Sequence, residues 1–162
     1  MAFFERRARV LFVCTENICR SPMAEGLLRQ YLRNAGIDRR FEVSSAGTMV
    51  SQPGTRPDQR AQKVARAAGI QLKNIRANRV TEAMLVRSSF VFAMDRSHIR
   101  DLLAICPPEH SHKIRLILAH LQEEELKEVP DPYYGSYQGF SEVFLLLERA
   151  IAGLVPYLDQ SS

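Results

Sequence analysis

Short apolar runs alternate with amphipathic segments along this chain. Four apolar runs have the length of buried strands, and they cover residues 10–13, 41–45, 89–94 and 113–118. Elsewhere apolar residues recur every three or four positions, which predicts helices over residues 22–35, 59–68, 81–86, 97–105 and 141–157. Strands that alternate with helices are typical of a parallel sheet covered on both faces. We therefore expect an α/β fold, a single domain over residues 1–162 with a four-stranded parallel sheet and helices on both faces.

The sequence also marks where some elements begin and end. Ser21 and Pro22 suit the start of the first helix, and Gly36 suits its end. The last helix is predicted to turn its apolar face toward the core, with Val143, Phe144, Leu147, Ile151, Leu154 and Val155 inward. Segments rich in turn formers or acidic residues are expected to be irregular and exposed, and they cover residues 47–58, 122–128 and 129–140.

Composition and charge bear on whether the protein binds nucleic acid, enters a membrane or works in a reducing compartment. Lys and Arg total 22 against 18 Asp and Glu, a net charge of +4, which suits an acidic substrate or an anionic surface but is also ordinary surface charge. The chain lacks Trp and does not interleave basic residues with aromatics, so we expect no nucleic-acid binding. No run approaches the roughly 18 apolar residues of a membrane span, so we expect no membrane insertion. Three cysteines without a signal peptide indicate a reducing compartment, and we expect a cytoplasmic protein.

The segment RVLFVCTENICRSPM carries the candidate chemistry. Cys14 comes directly after a predicted strand, and Arg20 follows six positions later, where a helix begins. A strand-to-helix loop turns backbone N–H groups toward one point, and the helix N-terminus adds to this anion site. The guanidinium of Arg20 matches phosphate geometry. The same positive surroundings favour the thiolate of Cys14, which predicts attack of sulfur on phosphorus and a cysteinyl-phosphate intermediate.

The residues around this pair are predicted to bind substrate or to shape the loop. Ser21 either donates to the thiolate, caps the helix or does both, and Asn17 holds the loop through its amide. The substrate-binding residues predicted in this stretch are Thr15, Glu16, Asn17, Ile18, Cys19 and Ser21. The alternative for Cys14 is a buried core thiol. A zinc site on Cys14 and Cys19 lacks a second pair of ligands, and the nucleotide-binding pattern G-x-x-x-x-G-K-[ST] is absent.

A proton donor for the leaving group is expected further along, in PDPYYG. Asp131 lies between two prolines in an irregular segment, which makes it the candidate general acid. The alternative is a turn-forming aspartate, which is common before proline. Tyr133 and Tyr134 beside it either line a pocket for an aromatic substrate or pack as ordinary side chains.

These motifs together resemble those of a known enzyme family. VCTENICRSPMAEG, SSAGT, AMDRSHIRDL and DPYYG, in this order over about residues 9–157, resemble the low-molecular-weight protein tyrosine phosphatases. The resemblance implies that Cys14 is the nucleophile, that Arg20 binds phosphate and stabilises the transition state, and that Asp131 is general acid and then base. It implies no metal or organic cofactor. The implied partner is a phosphotyrosine-containing protein, and a tyrosine kinase is one candidate.

The resemblance assigns further roles in the loop. It implies that Ser21 assists the thiolate, that Asn17 keeps the loop in shape, and that Cys19 forms a reversible protective disulfide with Cys14. The chain departs from the family pattern at Glu16, where a glycine is usual, and at Ile75, where a histidine is usual. Such differences bear on substrate choice and on the hydrogen bonds behind the loop.

Two other functions use a similar loop. An arsenate reductase needs a relay of further cysteines, whereas only Cys106 lies downstream, followed by two prolines. A phosphate-reading module without catalysis is suggested by the carboxylate of Glu16 in the loop. Arsenate reduction with thioredoxin, or tight phosphopeptide binding without turnover, would distinguish them from a phosphatase.

Overall fold

The computed structural model describes residues 6–122 and 127–161. The strands are β1 Ala8–Cys14, β2 Phe41–Gly47, β3 Phe90–Ala93 and β4 Ile114–Leu116. The α-helices are α1 Arg20–Asn34, α2 Gln59–Ala67, α3 Glu82–Arg87, α4 Arg96–Ile105 and α5 Tyr137–Ser161. Short 3-10 turns cover Asp38–Arg40, Pro108–Lys113 and Ile117–His120. Most of the acidic segment predicted to be exposed, residues 123–126, lies outside the described residues.

The strands form one sheet in the order β2-β1-β3-β4, and every neighbouring pair is parallel. β1 is central, and its side chains alternate between two cores. Val10, Phe12 and Cys14 face a core shared with α1, α2 and α5, whereas Leu11 and Val13 face one shared with α3 and α4. The predicted four-stranded parallel sheet with helices on both faces is therefore confirmed.

Parallel pairing brings the carboxyl ends of β1, β2 and β3 to the same edge of the sheet. Cys14, the last residue of β1, is in register with Gly47, the last residue of β2. On the other side Val13 is in register with Ala93, where β3 ends, and Asp95 follows two residues later. Residues far apart in sequence thus meet beyond this edge, where ligands bind in open α/β sheets.

The bounds of most elements differ from the predicted ones by one or two residues, and those of the last helix by four residues at each end. The fourth strand was expected over 113–118, but β4 stops at Leu116, because its partner Ala93 is the last residue of β3 and nothing remains to pair with. The last helix begins at Tyr137, within the segment expected to be irregular, and continues past residue 157 to Ser161. Its predicted inward residues are buried except Val155, which is half-buried.

Candidate active site

The loop between β1 and α1 is held from behind by Asn17. This residue has φ 58°, in the left-handed region that asparagine tolerates, and its side chain is buried. Its amide nitrogen donates to the hydroxyls of Ser21, at 2.8 Å, and Ser45, at 3.0 Å. Its amide oxygen accepts from the backbone and side-chain N–H groups of Asn78, at 3.1 and 3.2 Å. Asn17 therefore faces the scaffold and keeps the loop in shape, rather than lining the cavity.

The sulfur of Cys14 has one hydroxyl beside it. Ser21 Oγ lies 2.9 Å from Cys14 Sγ in a buried position. Because Asn17 already donates to this oxygen, the hydrogen of the Ser21 hydroxyl is free to be donated to the sulfur. A donor aimed at sulfur stabilises the thiolate relative to the thiol. Ser21 lies within α1 and does not cap it, since the residue before the helix is Cys19.

The hydrogen-bonded network continues into the protein behind the loop. The hydroxyl of Ser45 accepts a hydrogen bond from the amide nitrogen of Asn17 and donates one to Glu25 Oε1, at 2.7 Å. Burial raises the pKa of Glu25, and the opposing effects of Arg29 and Ser45 only partly offset this. Asn78 also donates to the Ser45 carbonyl, at 2.9 Å. Asn78 thus supplies hydrogen bonds behind the loop, and Ile75, where the family usually has histidine, is buried among apolar side chains.

Arg20 is the first residue of α1 and is almost completely buried. Its Nη1 donates to Asp95 Oδ2 and to the carbonyl of Val129, both at 3.0 Å. Its Nη2 lies 3.4 Å from Thr15 Oγ1 and 3.4 Å from Asp131 Oδ2. One edge of the guanidinium is therefore fixed by strong contacts, while the other faces the loop and Asp131 through longer contacts that an anion can replace.

His98 links this arginine site to the loop. The backbone N–H of Asp95 donates to His98 Nδ1, at 3.2 Å, so the ring proton is on Nε2, which donates to Thr15 Oγ1 at 2.8 Å. Burial, and then the charge of Arg20, lower the pKa of His98 to about 4, which keeps the ring neutral. Asp95 accepts from the first turn of α4 and so caps it. Sequence reasoning assigned neither residue a role, although the Asp-x-x-His spacing after a strand was a signal of a helix cap.

Asp131 reaches the site from the other end of the chain. Its Oδ1 accepts the backbone N–H of Tyr133, at 3.1 Å, and its Oδ2 is the oxygen near Arg20. The side chain is 44% exposed, open to the cavity and to water. Asp131 is thus both a turn-forming aspartate and a carboxylate facing the arginine, so the two interpretations of the sequence do not exclude each other.

Arg60 supports the loop that carries Asp131, and sequence reasoning did not find it. Its guanidinium donates to the carbonyls of Tyr133, at 3.0 Å, and Gly135, at 3.1 Å. Asp58, the N-cap of α2, holds Arg60 in place at 2.9 Å. These contacts tie the loop to the N-terminus of α2.

A cavity of about 530 Å³ lies above the loop. It is lined by nine residues of the predicted site, namely Cys14, Thr15, Glu16, Ile18, Cys19, Arg20, Asp131, Tyr133 and Tyr134. Four further lining residues were not predicted, and they are Met49, Ser51, Gln52 and Thr55. Asn17 and Ser21 do not line it. Tyr133 is 43% exposed and forms part of the wall, whereas Tyr134 is 94% exposed and stands at the rim.

The other two cysteines differ in their positions. Cys19 is buried and lines the cavity, and burial, followed by the negative charges of Asp58 and Cys14, raises its pKa strongly. Cys106 follows the last residue of α4, about 15 Å along the helix from the end that contacts Arg20. All three cysteines are free. The structure therefore gives no support to a thiol relay between Cys106 and the loop.

Metal ligands and membrane-spanning helices are two further features that could occur in residues 6–122 and 127–161. Within these ranges, no three His, Cys, Asp or Glu side chains come together as metal ligands. No helix in the same ranges has the length and apolar character needed to cross a membrane.

Comparison with known proteins agrees with the geometry. The family model described as low molecular weight phosphotyrosine protein phosphatase matches residues 9–162. The phosphatase of this description from Schizosaccharomyces pombe is 36% identical over 143 residues, which cover 88% of this chain and 91% of that protein. A low-molecular-weight protein-tyrosine-phosphatase of Streptomyces coelicolor is 38% identical over 151 residues, 91% of each chain. The crystal structure of a protein tyrosine phosphatase from Entamoeba histolytica superposes with a TM-score of 0.90 at 34% identity, over 95% of this chain and 98% of that one. The chain therefore belongs to the low-molecular-weight protein tyrosine phosphatases, a family of cysteine-based hydrolases.

Proposed function

We propose that this protein hydrolyses phosphotyrosine monoesters with Cys14 as nucleophile, Arg20 as phosphate-binding residue and Asp131 as general acid and base. The observation that carries the proposal is the position of Arg20. Its guanidinium lies within 3.4 Å of a carboxylate oxygen of Asp131, and both side chains line one cavity with the sulfur of Cys14. A nucleophile, an anion-binding fork and a proton donor thus surround one space.

The first half of the reaction transfers the phosphoryl group to sulfur. The thiolate of Cys14 attacks phosphorus while the bond from phosphorus to the phenolic oxygen breaks. Asp131 gives its proton to that oxygen, so tyrosine leaves as a neutral phenol. Arg20 and the backbone N–H groups of the loop stabilise the charge on the other phosphoryl oxygens.

The second half returns the enzyme to its starting state. Asp131, now a carboxylate, takes a proton from a water molecule that attacks the phosphorus of the cysteinyl-phosphate. The bond from phosphorus to sulfur breaks, inorganic phosphate leaves and Cys14 is again a thiolate. The Ser21 hydroxyl, 2.9 Å from the sulfur, stabilises this leaving thiolate.

The depth of the nucleophile supports an aryl substrate. Cys14 is only 3% exposed and lies at the floor of the cavity, under walls that include Ile18, Met49 and Tyr133. A phosphate on a long, flat aromatic side chain reaches this floor, while the short side chain of phosphoserine keeps its phosphate near the rim. We therefore propose phosphotyrosine proteins as substrates, with a tyrosine kinase as one candidate.

The required chemical state of Cys14 supports a cytoplasmic location. The thiolate has to be unoxidised to attack phosphorus, and a reducing compartment keeps it so.

The test uses aryl phosphates whose phenols differ in acidity, with a metal chelator at mildly acidic pH. Wild type is expected to hydrolyse para-nitrophenyl phosphate, and Cys14→Ser to show no turnover. Asp131→Asn is expected to lose roughly 10²- to 10⁴-fold in kcat for poor leaving groups and much less for good ones, because only poor ones need the proton. Equal losses across the series would contradict the role of Asp131, and near-normal rates in Cys14→Ser would contradict the nucleophile. Tight phosphopeptide binding by wild type without turnover would identify a phosphate-reading module instead.

A further inference from the structure

Glu16 places a carboxylate on the wall of the cavity, two residues from the nucleophile. Its side chain is half-buried and is one of three charged side chains that line the cavity, with Arg20 and Asp131. The proposed reaction uses Arg20 and Asp131 but gives Glu16 no role. A carboxylate next to a phosphate-binding loop weakens the binding of a bare dianion, so its presence needs another explanation.

The side chain of Glu16 is held in place by the segment that follows β2. Its Oε2 accepts two hydrogen bonds from Ser51, one from the backbone N–H at 2.9 Å and one from the hydroxyl at 3.0 Å. Both bonds use the same oxygen, and no described residue donates to Oε1. Glu16 therefore bridges the catalytic loop to the segment that carries Ser51, with one carboxylate oxygen available to a ligand.

The charges of the cavity are divided between its floor and its walls. Arg20 supplies the positive charge at the floor, where it is 2% exposed and held by Asp95 and Val129. Of the residues lining the walls, the charged ones are Glu16 and Asp131, and both are acidic. A phosphotyrosine bound here has its phosphate at the positive floor. Because Asp131 carries a proton when it acts as general acid, Glu16 is the negative charge that the bound substrate meets at the wall.

We propose that Glu16 is a specificity residue that favours phosphotyrosine with arginine or lysine close to it in the substrate. This inference rests on the proposed function. Oε1 of Glu16 accepts a hydrogen bond from the basic side chain, and the resulting ion pair offsets the repulsion between the Glu16 carboxylate and the phosphate. An acidic residue in the same place adds a second repulsion.

The experiment compares three phosphotyrosine peptides, flanked on both sides by two arginines, two alanines or two glutamates. We expect kcat/KM of wild type for the arginine peptide to exceed that for the glutamate peptide by about tenfold at low salt, and the ratio to shrink as salt screens the charges. Glu16→Gln keeps the size of the side chain and an oxygen for Ser51, and it is expected to reduce the ratio to about twofold. Glu82→Gln, on α3, is the matched control for loss of one negative charge and is expected to keep the wild-type ratio.

The outcomes separate this inference from the proposed function. Hydrolysis of all three peptides at equal rates by wild type, or an unchanged ratio in Glu16→Gln, would overturn the role of Glu16 and leave the phosphatase reaction standing. No hydrolysis of any phosphotyrosine peptide by folded, reduced wild type would overturn the proposed function itself. A ratio that falls equally in Glu82→Gln would assign the effect to overall charge and so overturn the role of Glu16.

Discussion

Replacing Gly47 with alanine should disturb catalysis without touching a catalytic side chain. Gly47 ends β2 beside the catalytic loop, and the two residues after it donate backbone hydrogen bonds to that loop, Thr48 to the carbonyl of Cys14 and Met49 to the carbonyl of Thr15, both at 2.9 Å. A Cβ added at Gly47 would lie 2.4 Å from the carbonyl oxygen of Thr15 and 3.1 Å from the backbone nitrogen of Asn17. This close approach is the physical reason for a glycine in SSAGT.

The size of the effect follows from these distances. Ordinary contacts of a Cβ begin at 3.4 Å, so the Thr15 carbonyl has to move by about 1 Å. The same Cβ would lie 2.7 Å from Val50 Cγ2, but that side chain can rotate away. The Thr15 oxygen belongs to the backbone of the loop and cannot. A displacement of about 1 Å in a catalytic array costs roughly 10²-fold in rate, or about 2.7 kcal/mol of transition-state stabilisation. Overpacking is expected to lower the free energy of unfolding by about 1–3 kcal/mol as well.

The assay measures kcat and KM on para-nitrophenyl phosphate, well below the melting temperature of each variant. Gly139→Ala is the matched control, because a Cβ there meets nothing within 4 Å, and this helix position is expected to become about 0.5–1 kcal/mol more stable. Gly47→Ala should lose about two orders of magnitude in kcat while its circular dichroism stays native. The argument from close approach would be refuted if Gly47→Ala kept the kcat/KM of wild type. It would also be refuted if the loss of activity were no larger than the fraction of unfolded protein explains.

Two further predictions concern oxidation and pH. Hydrogen peroxide should oxidise the thiolate of Cys14 to a sulfenic acid, and attack by the thiol of Cys19 should then release water and form a disulfide that dithiothreitol reverses. Cys19→Ser should instead be inactivated irreversibly, and finding only over-oxidised Cys14 in wild type by mass spectrometry would exclude the bridge. His98, with its pKa lowered from 6.5 to about 4, stays neutral in the folded protein while the unfolded chain takes up a proton, so stability falls as the pH drops from 6.5 toward 4. The free energy of unfolding falls by at most about 1.4 kcal/mol per pH unit from this cause. When it is measured by urea unfolding, His98→Gln should lack this contribution to the pH dependence. Equal pH slopes in both proteins would contradict the assignment.

The parts of the site that are close in sequence were predictable. The strand, the cysteine at its end, the arginine six positions later and the helix start all lie within one short segment. Local rules of strand pattern, loop length and helix starts act over that distance, so Cys14 and Arg20 were identified before the structure. Asp131 was likewise identified from its neighbours in sequence. What the sequence did not give was its distance from Arg20.

The supports of the site were not predictable, because they are long-range. Asn78 reaches Asn17 across 61 positions, His98 reaches Thr15 across 83, and no local pattern relates such residues. Arg60 lies in a predicted helix and was given no role, but it holds the loop that follows Asp131. Predicted element bounds failed for the same reason, since β4 ends where its partner strand ends.

The sequence by itself therefore determined the alternating strands and helices, the nucleophile with its phosphate-binding loop, and the candidate acid. These follow from the periodic recurrence of apolar side chains and from chemistry confined to a few neighbouring residues. Only the tertiary structure decided that Arg20 meets Asp131, 111 positions away, and that Glu16 is bound to Ser51, 35 positions away. The parallel sheet brings the ends of its strands to one edge, and this convergence assembles the site from distant segments.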